Sequence, residues 1–582
     1  MINIAQGHSG NTDTHPSRKG GGVAAVLFIL AVFMLCRIPI ATEYYNYHSD
    51  EAFYTDNALE MLHRGDYITP YHTDGTARFD KPPITCWVVV LGFKLFGISI
   101  LSSRLLFLLI GALTVWLTYR VARTLLDYES SAVLASLIMV SNATFMYHAG
   151  YALTDGLLTL SVLIAHFGFV RVLLLEQRTA TSFACAYIGT GMAFFVKGLP
   201  GLLPLPFAFG FALWFSRSER TRLRIFPQEL LSVPWMLAGL CVATGWIIAE
   251  SYLRGHEFWH GFLYDQAGRR FERTQMLTNV FTYPLNVFQV FLPWTMPLFL
   301  LLIRYRAELR AYFQERRVLY CYLLGACVLQ FVFFAPININ RSRYLMPVFP
   351  LFSIFLAGIL SQAAQKLDLA KFWRTIALSF GTAGMAGALI LLVSSPHDRP
   401  LTSALLLLAG GGALIASATV RPATAPAGLA AFMIFSYSAL DYFEWPVVAP
   451  APSAEVSRVL EEHGLLNTDL ALGREIMYEL PPQVRVISGG RMSYARLPDF
   501  PADRPPVVLI KETCVPLHLD LAGYTIVPVG YGYFRSDEKF GPVRIGRNAD
   551  ELMFFLCFLS HDPTAFTSRY RCRYLLAIRN DR

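Results

Sequence analysis

The stretch 84–97, ITCWVVVLGFKLFG, decides how this chain is threaded through a membrane. It is largely apolar, but Pro83 and Gly97 bound it, and it is shorter than the roughly 20 residues that a spanning helix needs. We therefore expect this segment to lie in the membrane interface. The choice fixes the topology, because counting the segment as a span would move every later loop to the opposite side.

Longer apolar runs dominate the rest of the chain. Of its 582 residues, 54% are hydrophobic and only 15% are charged, a balance that is typical of polytopic membrane proteins and not of soluble ones. The sequence thus predicts a polytopic α-helical membrane protein with about 13 transmembrane helices. The predicted spans lie near 23–41, 100–119, 129–147, 152–170, 180–197, 199–216, 233–250, 283–303, 318–335, 344–363, 375–394, 401–419 and 425–442.

The distribution of basic residues supports this count. With the N-terminus in the cytoplasm, most loop Lys and Arg fall on the cytoplasmic side, as the positive-inside rule requires, and the C-terminal tail falls on the other side. The cytoplasmic set is Arg120, Arg123, Arg171, Arg178, Arg217, Arg220, Arg222, Arg224, Arg304, Arg306, Arg310, Arg316, Arg317, Lys366, Lys371, Arg374 and Arg421. Because these residues gather in short loops, the net charge of +8 does not indicate a nucleic-acid partner.

Basic residues on the non-cytoplasmic side need their own explanation. A single Arg or Lys near a membrane end can extend its charge to the lipid headgroups. Several on one face favour a common anionic ligand, and we predict that they converge on a phosphate. The residues concerned are Lys81, Arg269, Arg270, Arg341 and Arg343.

The loop before the interfacial segment, 50–83, has the sequence DEAFYTDNALEMLHRGDYITPYHTDGTARFDKPP. It begins with two adjacent carboxylates, Asp50 and Glu51, and its apolar spacing predicts a helix that lies on the membrane surface. Ionisable groups this close to a bilayer often mark chemistry. The alternative is a solvated loop in which the carboxylates merely favour a helix start.

Several motifs follow one another in this loop after the first span: the acidic pair, Gly65-Asp66-Tyr67, Pro70 and Phe79-Asp80-Lys81-Pro82-Pro83. Their order resembles the first periplasmic loop of the C-type, polyprenyl-phosphate-dependent membrane glycosyltransferases. Within that superfamily, about residues 1–350 are most similar to the bacterial lipid A 4-amino-4-deoxy-L-arabinose transferases. Two positions depart from the family pattern, since Asp80 stands where Glu is expected and Phe53 where Arg is expected.

The resemblance implies transfer of 4-amino-4-deoxy-L-arabinose from undecaprenyl phosphate to lipid A phosphate groups at the periplasmic face of the bacterial inner membrane. Such a transfer would lower the negative surface charge and confer resistance to polymyxin and other cationic antimicrobial peptides. The implied partners are membrane lipids, the undecaprenyl phosphate-linked aminoarabinose donor and the lipid A acceptor. Undecaprenyl phosphate is the carrier, no cofactor is required, and a divalent metal is a candidate.

The same resemblance assigns roles to residues. A glycosyl transfer from a lipid carrier has to hold a leaving phosphate, and charge-assisted contacts do so most strongly. The residues expected to bind the lipid phosphate are Lys81, Arg269, Arg270 and Tyr344, with Tyr54, Asp80, Arg341 and Arg343 as secondary candidates. The predicted catalytic carboxylates are Asp50, Glu51 and Asp155.

The role of these carboxylates depends on the acceptor. A hydroxyl acceptor requires a general base to remove its proton. A lipid A phosphate is already ionised, so the acids would instead orient the donor, pair with the ammonium group of the sugar or hold a divalent cation. Asp155, at the start of the fourth predicted span, has the alternative role of capping its helix.

A different chemistry is suggested by 256–260, HEFWH, which fits the H-E-x-x-H pattern of zinc enzymes. The aromatic pair inside the motif and the lack of a recognisable third ligand favour packing at the membrane interface instead. His256 and His260, with Asp50, are therefore retained as candidate metal ligands only.

The character of the sequence changes after residue 442. We predict a transmembrane glycosyltransferase domain, 1–442, whose catalytic first periplasmic loop is 42–99, and a periplasmic soluble α/β domain, 443–582. The second domain is expected to contain a helix at 453–463, which Gly464 ends, and strands at 484–488, 507–511, 524–529 and 574–578.

Other functions compete with the transferase hypothesis. The acceptor could be a hydroxyl of another lipid, a glycan or a protein. A lipid transporter or flippase predicts internal repeats and charges at mid-bilayer, whereas no repeat is visible and most charges lie at span ends. A membrane-anchored binding protein or a metalloprotease would leave Asp50, Lys81 and Arg270 unexplained.

Overall fold

The fold was analysed in a computed structural model of the chain. The structure describes the residues 21–42, 49–72, 75–216, 226–263, 276–336, 342–367, 370–394, 399–420, 424–448, 453–465, 470–473, 492–495, 506–511, 523–533 and 571–580.

Helices make up most of the described residues up to residue 462. The α-helices are α1 Gly21–Ala41, α2 Ser49–Arg64, α3 Ile84–Phe96, α4 Ile100–Leu125, α5 Glu129–Val140, α6 Ala143–His148, α7 Thr154–Leu173, α8 Ala180–Lys197, α9 Leu199–Leu202, α10 Pro204–Ser216, α11 Val233–Arg254, α12 His256–Leu263, α13 Met276–Val290, α14 Thr295–Arg304, α15 Arg306–Glu315, α16 Arg317–Phe334, α17 Phe349–Lys366, α18 Ala370–Ser394, α19 Arg399–Val420, α20 Ala425–Val448 and α21 Ser453–Glu462. Two 3₁₀ helices span Pro227–Leu230 and Ser342–Val348.

The chain is a polytopic helical membrane protein, as its composition predicts. In the described part of the chain, nine helices are long and apolar enough to cross a membrane, or ten if the bent pair Asn279–Val290 and Thr295–Arg304 is one span. The predicted count of thirteen is therefore not confirmed. One reason is local: the side chain of Asn142 accepts the N–H of Phe145 at 3.0 Å, so the run 129–147 is divided into the short helices α5 and α6.

The first loop forms the helix that its apolar spacing predicts. A helix, α2, begins at Ser49 beside the two carboxylates, and the segment 84–97 forms the 13-residue helix α3. The apolar face of α2 packs on α3, α4 and α7 through a core that includes Tyr54, Met61, Val89, Phe107 and Leu158. The placement of α2 and α3 in the membrane interface stays a prediction.

Glycines allow α7, α8 and α11 to approach one another closely. A Cβ atom on Gly168 of α7 would lie 2.2 Å from the backbone nitrogen of Ala186 in α8. On the other side of α8, a Cβ on Gly191 would lie 2.3 Å from the carbonyl oxygen of Gly239 in α11. Such contacts are impossible for a larger residue, and small residues at helix interfaces are typical of membrane bundles.

We expect Gly168→Ala to lower the thermal unfolding temperature of the detergent-purified protein. The new methyl group meets backbone atoms that cannot rotate away, and overpacking of this kind costs about 1–3 kcal/mol. Gly210→Ala is the matched control, because a Cβ there meets nothing within 4 Å. Equal unfolding temperatures for the two variants would show that α7 and α8 are not packed this tightly.

A buried ion pair connects α1 to α20. The guanidinium of Arg37 in α1 donates to the carboxylate of Asp441 in α20, and the two side chains are 4% and 11% exposed. Breaking one partner of a buried pair leaves an uncompensated charge. The pair thus fixes α20, which leads into the C-terminal part, against the helix that precedes the first loop.

The C-terminal part is a small α/β unit. Its strands are β1 Leu470–Gly473, β2 Met492–Ala495, β3 Val507–Lys511, β4 Tyr524–Tyr533 and β5 Arg571–Arg579, in the sheet order β2-β1-β3-β5-β4. The strand β1 is parallel to β2 and β3, while β5 is antiparallel to β3 and β4. Helix α21 packs Val456, Val459 and Leu460 on the sheet.

The predictions for this part are confirmed at α21, β3, β4 and β5. Gly464 follows α21 with a φ of +64°, as expected for a helix end. The predicted strand 484–488 lies outside the described residues, and the short strands β1 and β2 were not predicted. Helix α20 continues to Val448, and the domain division at 442/443 stays a prediction.

Candidate active site

Lys81 lies in the loop that joins α2 to α3 and packs against Tyr54 of α2. Its ammonium nitrogen donates to the hydroxyl of Tyr54 at 3.0 Å and lies 5.3 Å from the centre of that ring. Pro82 and Pro83 follow, and α3 begins immediately after them. Because proline fixes the backbone φ angle, the position of the Lys81 backbone is well defined.

Asp80, the neighbour of Lys81, is held by Arg78. The Nε and Nη2 atoms of Arg78 donate to the two carboxylate oxygens at 2.6 and 3.0 Å. Burial opposes ionisation of this carboxyl, but the charge and hydrogen bonds of Arg78 and the charge of Lys81 outweigh it and lower the pKa of Asp80 to about 2. Asp80 is consequently a carboxylate at any physiological pH.

The ammonium form of Lys81 is also favoured. Burial alone would lower the pKa of this amine. The neighbouring Tyr54 and Asp80 act in the opposite direction and outweigh both burial and the repulsion from Arg78, so the pKa of Lys81 lies above its ordinary value. The loop therefore presents a permanent positive charge beside α2.

A second group of charges joins Asp50 to Asp155. Arg343 donates to the carboxylate of Asp50, and its Nη1 atom lies 3.8 Å from the second carboxylate oxygen of Asp155. The ammonium of Lys197 donates to the other oxygen of Asp155. The Lys197 nitrogen also lies 4.9 Å from the centre of the Tyr344 ring. The group brings α2, α7, α8 and the 3₁₀ helix Ser342–Val348 to one place.

Asp50 is the most accessible member of this group. Its side chain is 29% exposed, compared with 15% for Lys197, 7% for Arg343 and 3% for Asp155. A ligand could therefore reach Asp50, while Asp155 orients the two cations. Asp50 and Tyr54 lie one turn apart on α2 and contact Arg343 and Lys81 respectively, so the loop cation and this group belong to one site.

Glu51 has a different environment from its neighbour Asp50. Both of its carboxylate oxygens accept from Arg104 of α4, at 2.9 and 2.8 Å, and one of them also accepts the backbone N–H of Ala152 at 3.0 Å. The side chains of Glu51 and Arg104 are 0% and 1% exposed. These contacts favour a positioning role for Glu51, which anchors the start of α2, and its predicted catalytic role stays a prediction.

The helix ends around this site agree with the predicted topology. They are the N-terminal ends of α4 and α7, the C-terminal end of α8, and the 3₁₀ helix that precedes α17. The positive-inside count predicts all of these ends on the non-cytoplasmic side, and the structure brings them together around α2.

Three of the predicted phosphate-binding or secondary residues, Arg269, Arg270 and Arg341, lie outside the described residues. Their roles stay predictions. Tyr344 is half-buried and stacks on Phe334, with ring centres 5.1 Å apart.

The H-E-x-x-H motif forms most of α12. Its two histidines are exposed, with ring centres 6.2 Å apart, and the buried residue between them, Phe258, packs edge-on against Phe79 and Trp246. Among the residues that the structure describes, no three His, Cys, Asp or Glu side chains are grouped so that they could hold a metal ion. The contacts of Phe258 support the packing hypothesis, since they fasten α12 to the loop that carries Asp80 and Lys81.

Sequence reasoning missed three charged residues of the site, Arg78, Arg104 and Lys197. Arg104 and Lys197 share a recognisable signal, because each lies at the end of an apolar run on the side where basic residues are disfavoured. Their partners, Glu51 and Asp155, are distant in the sequence, so the ion pairs themselves could not be inferred from spacing.

Comparisons with known proteins agree with this fold. The family model described as dolichyl-phosphate-mannose-protein mannosyltransferase matches 80–246, a segment that contains Lys81, Asp155 and Lys197. The chain is 29% identical over 366 residues to an uncharacterized protein of Aquifex aeolicus (strain VF5), a match that covers 60% of this chain and 68% of that protein.

A second curated relative is the undecaprenyl phosphate-alpha-4-amino-4-deoxy-L-arabinose arabinosyl transferase 1 of Proteus mirabilis (strain HI4320). It is 26% identical over 379 residues, which cover 64% of this chain and 66% of the relative. The matched segments thus span about two thirds of these relatives. The crystal structure of ArnT from Cupriavidus metallidurans bound to undecaprenyl phosphate superposes with a TM-score of 0.66 at 17% identity, covering 88% of this chain and 97% of that one. The fold of the chain is therefore that of ArnT.

Proposed function

We propose that this chain is a membrane glycosyltransferase that uses a polyprenyl-phosphate-linked sugar as its donor. The observation that carries the proposal is the site itself: a protonated Lys81 beside a cluster in which Asp50 is accessible, Lys197 is partly buried, and Asp155 and Arg343 are buried. An anionic leaving group and a sugar are the ligands that such a combination suits. The matches to a mannosyltransferase family model and to an arabinosyl transferase support the same class of reaction.

The positive charges of the site would stabilise the leaving phosphate. As the bond between the sugar and the phosphate breaks, negative charge develops on the phosphate oxygens, and fixed cations are more effective there than in water. Lys81 is the described residue best placed for this role, because Tyr54 fixes its side chain and, together with Asp80, favours its protonated form. Arg269 and Arg270, which follow α12 in the sequence, are the proposed partners of Lys81 in this role.

The carboxylates would act on the sugar and the acceptor, or would hold the residues that do. Asp50 would face the sugar or the acceptor, since it is the accessible acid of the cluster. Asp155 would hold Lys197 and Arg343 in place, and Arg343 in turn fixes Asp50. Glu51 would secure the start of α2 through Arg104.

At a finer level, we propose that the donor is undecaprenyl phosphate-linked 4-amino-4-deoxy-L-arabinose and that the acceptor is a phosphate group of lipid A. The reaction would take place at the periplasmic face of the inner membrane and would confer resistance to polymyxin. The loop motifs and the name of the Proteus mirabilis relative support this choice. The cations near Asp50, namely Arg343, Lys197 and Lys81, suit substrates that carry phosphate.

Mass analysis of lipid A tests this proposal. Cells that express the protein should contain lipid A with an added aminopentose, and cells without it, or with Lys81→Ala, should not. Unmodified lipid A in expressing cells that make the aminoarabinose donor would reject lipid A as the acceptor. Analysis of total lipids, glycans and proteins from the same cells would then identify which molecule gains a sugar.

A hydroxyl acceptor is the second candidate, because the matching family model describes a transferase that glycosylates proteins.

The pH profile of Asp50→Asn distinguishes the two acceptors. A general base works only when it is ionised and contributes about 10²–10⁴-fold, so the rate falls at acidic pH as the base is protonated. For an ionised phosphate acceptor, we expect Asp50→Asn to be slower than wild type but to keep the same acidic limb. Disappearance of that limb in Asp50→Asn would make Asp50 a titrating base and favour a hydroxyl.

A further inference from the structure

Arg78 is a buried cation that the sequence analysis did not connect with the site. Its side chain is 7% exposed, and its guanidinium carbon lies over the ring of Phe53, 4.6 Å from the ring centre. Two of its three nitrogens, Nε and Nη2, are bound to Asp80. Within the described part of the chain, the third nitrogen, Nη1, is buried and has no hydrogen-bond acceptor.

An unpaired donor in such a position is unusual. Nearly all buried polar groups in proteins have a hydrogen-bond partner, because removing a donor from water without replacing its acceptor is costly. The Asp80 carboxylate does not provide that partner, since it pairs with the edge of the guanidinium formed by Nε and Nη2, and Nη1 lies at the other end. The structure therefore leaves one end of the guanidinium available to an acceptor that none of the described residues supplies.

The charges around Arg78 indicate the kind of acceptor. The Arg78 guanidinium carbon lies 5.9 Å from the centre of the Tyr54 ring, and the Lys81 ammonium lies 5.3 Å from the same point. These two cations repel each other, and Asp80 compensates only one of them. An anionic oxygen between the two would relieve the repulsion and satisfy Nη1 at once.

We propose that Arg78 is a binding residue for the phosphate of the lipid-linked donor, with Nη1 donating to a non-bridging phosphate oxygen next to the one that Lys81 contacts. This inference rests on the proposed function. Lys81 supplies a point charge, while the planar guanidinium adds a directed hydrogen bond. Asp80 is a positioning residue, because it orients the guanidinium and leaves Nη1 open.

The arrangement also explains a departure from the family pattern. Phe53 occupies a position where Arg is expected, so α2 has no guanidinium of its own there. Its ring instead supports the guanidinium of Arg78, which comes from the loop. Arginine stacks readily on aromatic faces, and such stacking restricts its orientation. Phe53 and Arg78 thus form one unit that presents Nη1 to the ligand.

The test is binding of undecaprenyl phosphate to the purified full-length protein, with the wild type and three variants compared. We expect Arg78→Gln to weaken binding roughly ten- to a hundred-fold, the effect of losing one charge-assisted hydrogen bond. Asp80→Asn keeps one oxygen that can accept from Arg78 but removes the compensating charge, so it should bind the lipid at least as tightly as wild type. Arg64→Gln, which removes a more exposed arginine at the end of α2, should bind like wild type.

The KM and kcat for the lipid-linked donor distinguish a binding role of Arg78 from a structural role. Arg78→Gln should raise the KM for the lipid-linked donor more than it lowers kcat, and Arg78→Lys, which keeps the charge, should recover part of the loss. If Arg78 and Asp80 form only a structural pair, Arg78→Gln and Asp80→Asn should instead weaken binding and lower thermal stability together. That result, or wild-type affinity in Arg78→Gln, would overturn the assignment.

The outcome also separates this assignment from the proposed function. A wild-type protein that binds undecaprenyl phosphate, with Arg78→Gln unchanged, would reject Arg78 as a phosphate ligand and leave the transferase proposal standing. A wild-type protein that does not bind the lipid at all would reject a polyprenyl-phosphate donor, and the role of Arg78 with it.

Discussion

Replacing Lys81 with alanine lowers the rate of sugar transfer by about 10²- to 10³-fold, the usual effect of removing one group that stabilises a developing oxyanion. Lys81 is bound to Tyr54 at 3.0 Å and stays protonated beside Asp80, so its charge is already in place before the phosphate arrives. A residue fixed in this way loses little energy in reorganisation during the reaction. The measurement is kcat/KM with a labelled lipid-linked sugar at matched expression of each variant.

Lys94→Ala is the matched control for this prediction. Lys94 lies in α3, is exposed, and places its ammonium 4.4 Å from the centre of the Tyr67 ring, so it resembles Lys81 in its contact with an aromatic ring. We expect it to transfer sugar at the wild-type rate. Equal rates for wild type and a well-folded Lys81→Ala would show that Lys81 only anchors the loop to lipid headgroups.

Glu51→Gln gives the second large effect, on folding rather than on chemistry. It leaves the Arg104 guanidinium buried without its counter-charge, and breaking a buried pair in this way costs about 3–5 kcal/mol. That is a large part of the 5–15 kcal/mol by which typical proteins are stable. We expect little folded Glu51→Gln protein in the membrane, and a clearly lowered unfolding temperature for what is recovered.

Two further variants separate this positioning role from catalysis. Replacing Glu51 with Leu and Arg104 with Met together removes both charges, and such replacements of buried pairs are often neutral or stabilising. The double variant should recover folded protein and, if Glu51 only positions α2, much of the transfer activity. A folded but inactive double variant would return Glu51 to the catalytic residues. Glu60→Gln, which breaks a more exposed pair with Arg64 on the same helix, should cost no more than about 1 kcal/mol.

The sequence predicted those parts of the fold that depend on local pattern. Apolar length marked the helical segments, the pattern after Asp50 marked α2, and the boundaries at Pro83 and Gly97 marked the short helix α3. Short, largely apolar runs at 507–511, 524–529 and 574–578 located β3, β4 and β5. Local pattern did not show the break at Asn142, because an asparagine in an apolar run is compatible with a continuous helix until its side chain caps a new one.

The candidate site was predictable in its acids and less so in its bases. Asp50, Asp155 and Lys81 stand out because ionisable residues at membrane ends are rare. The pairing of Glu51 with Arg104 depends on how α2 packs against α4, and adjacent identical charges in a sequence give no sign of which one is buried. In the same way, only the folded loop shows that Asp80 binds Arg78 and also attracts the charge of Lys81.

The short strands β1 and β2 illustrate a further reason for incomplete prediction. Each has four residues, and β1, Leu470–Gly473, contains a glycine and an alanine that disfavour strands in isolation. Their extended form is imposed by pairing, since β1 lies between β2 and β3 with both neighbours parallel. Non-local pairing of this kind leaves almost no trace in a single sequence.

The central claim is that the chain breaks and forms a glycosidic bond, and reconstitution tests it most directly. The purified protein would be placed in liposomes with an acceptor lipid A and undecaprenyl phosphate-linked 4-amino-4-deoxy-L-arabinose labelled in the sugar. We predict that label appears on lipid A and that undecaprenyl phosphate is released in equal amount, with both signals lost in Lys81→Ala. Movement of the intact labelled donor to the other leaflet, with no release of undecaprenyl phosphate, would contradict the account and identify a lipid transporter.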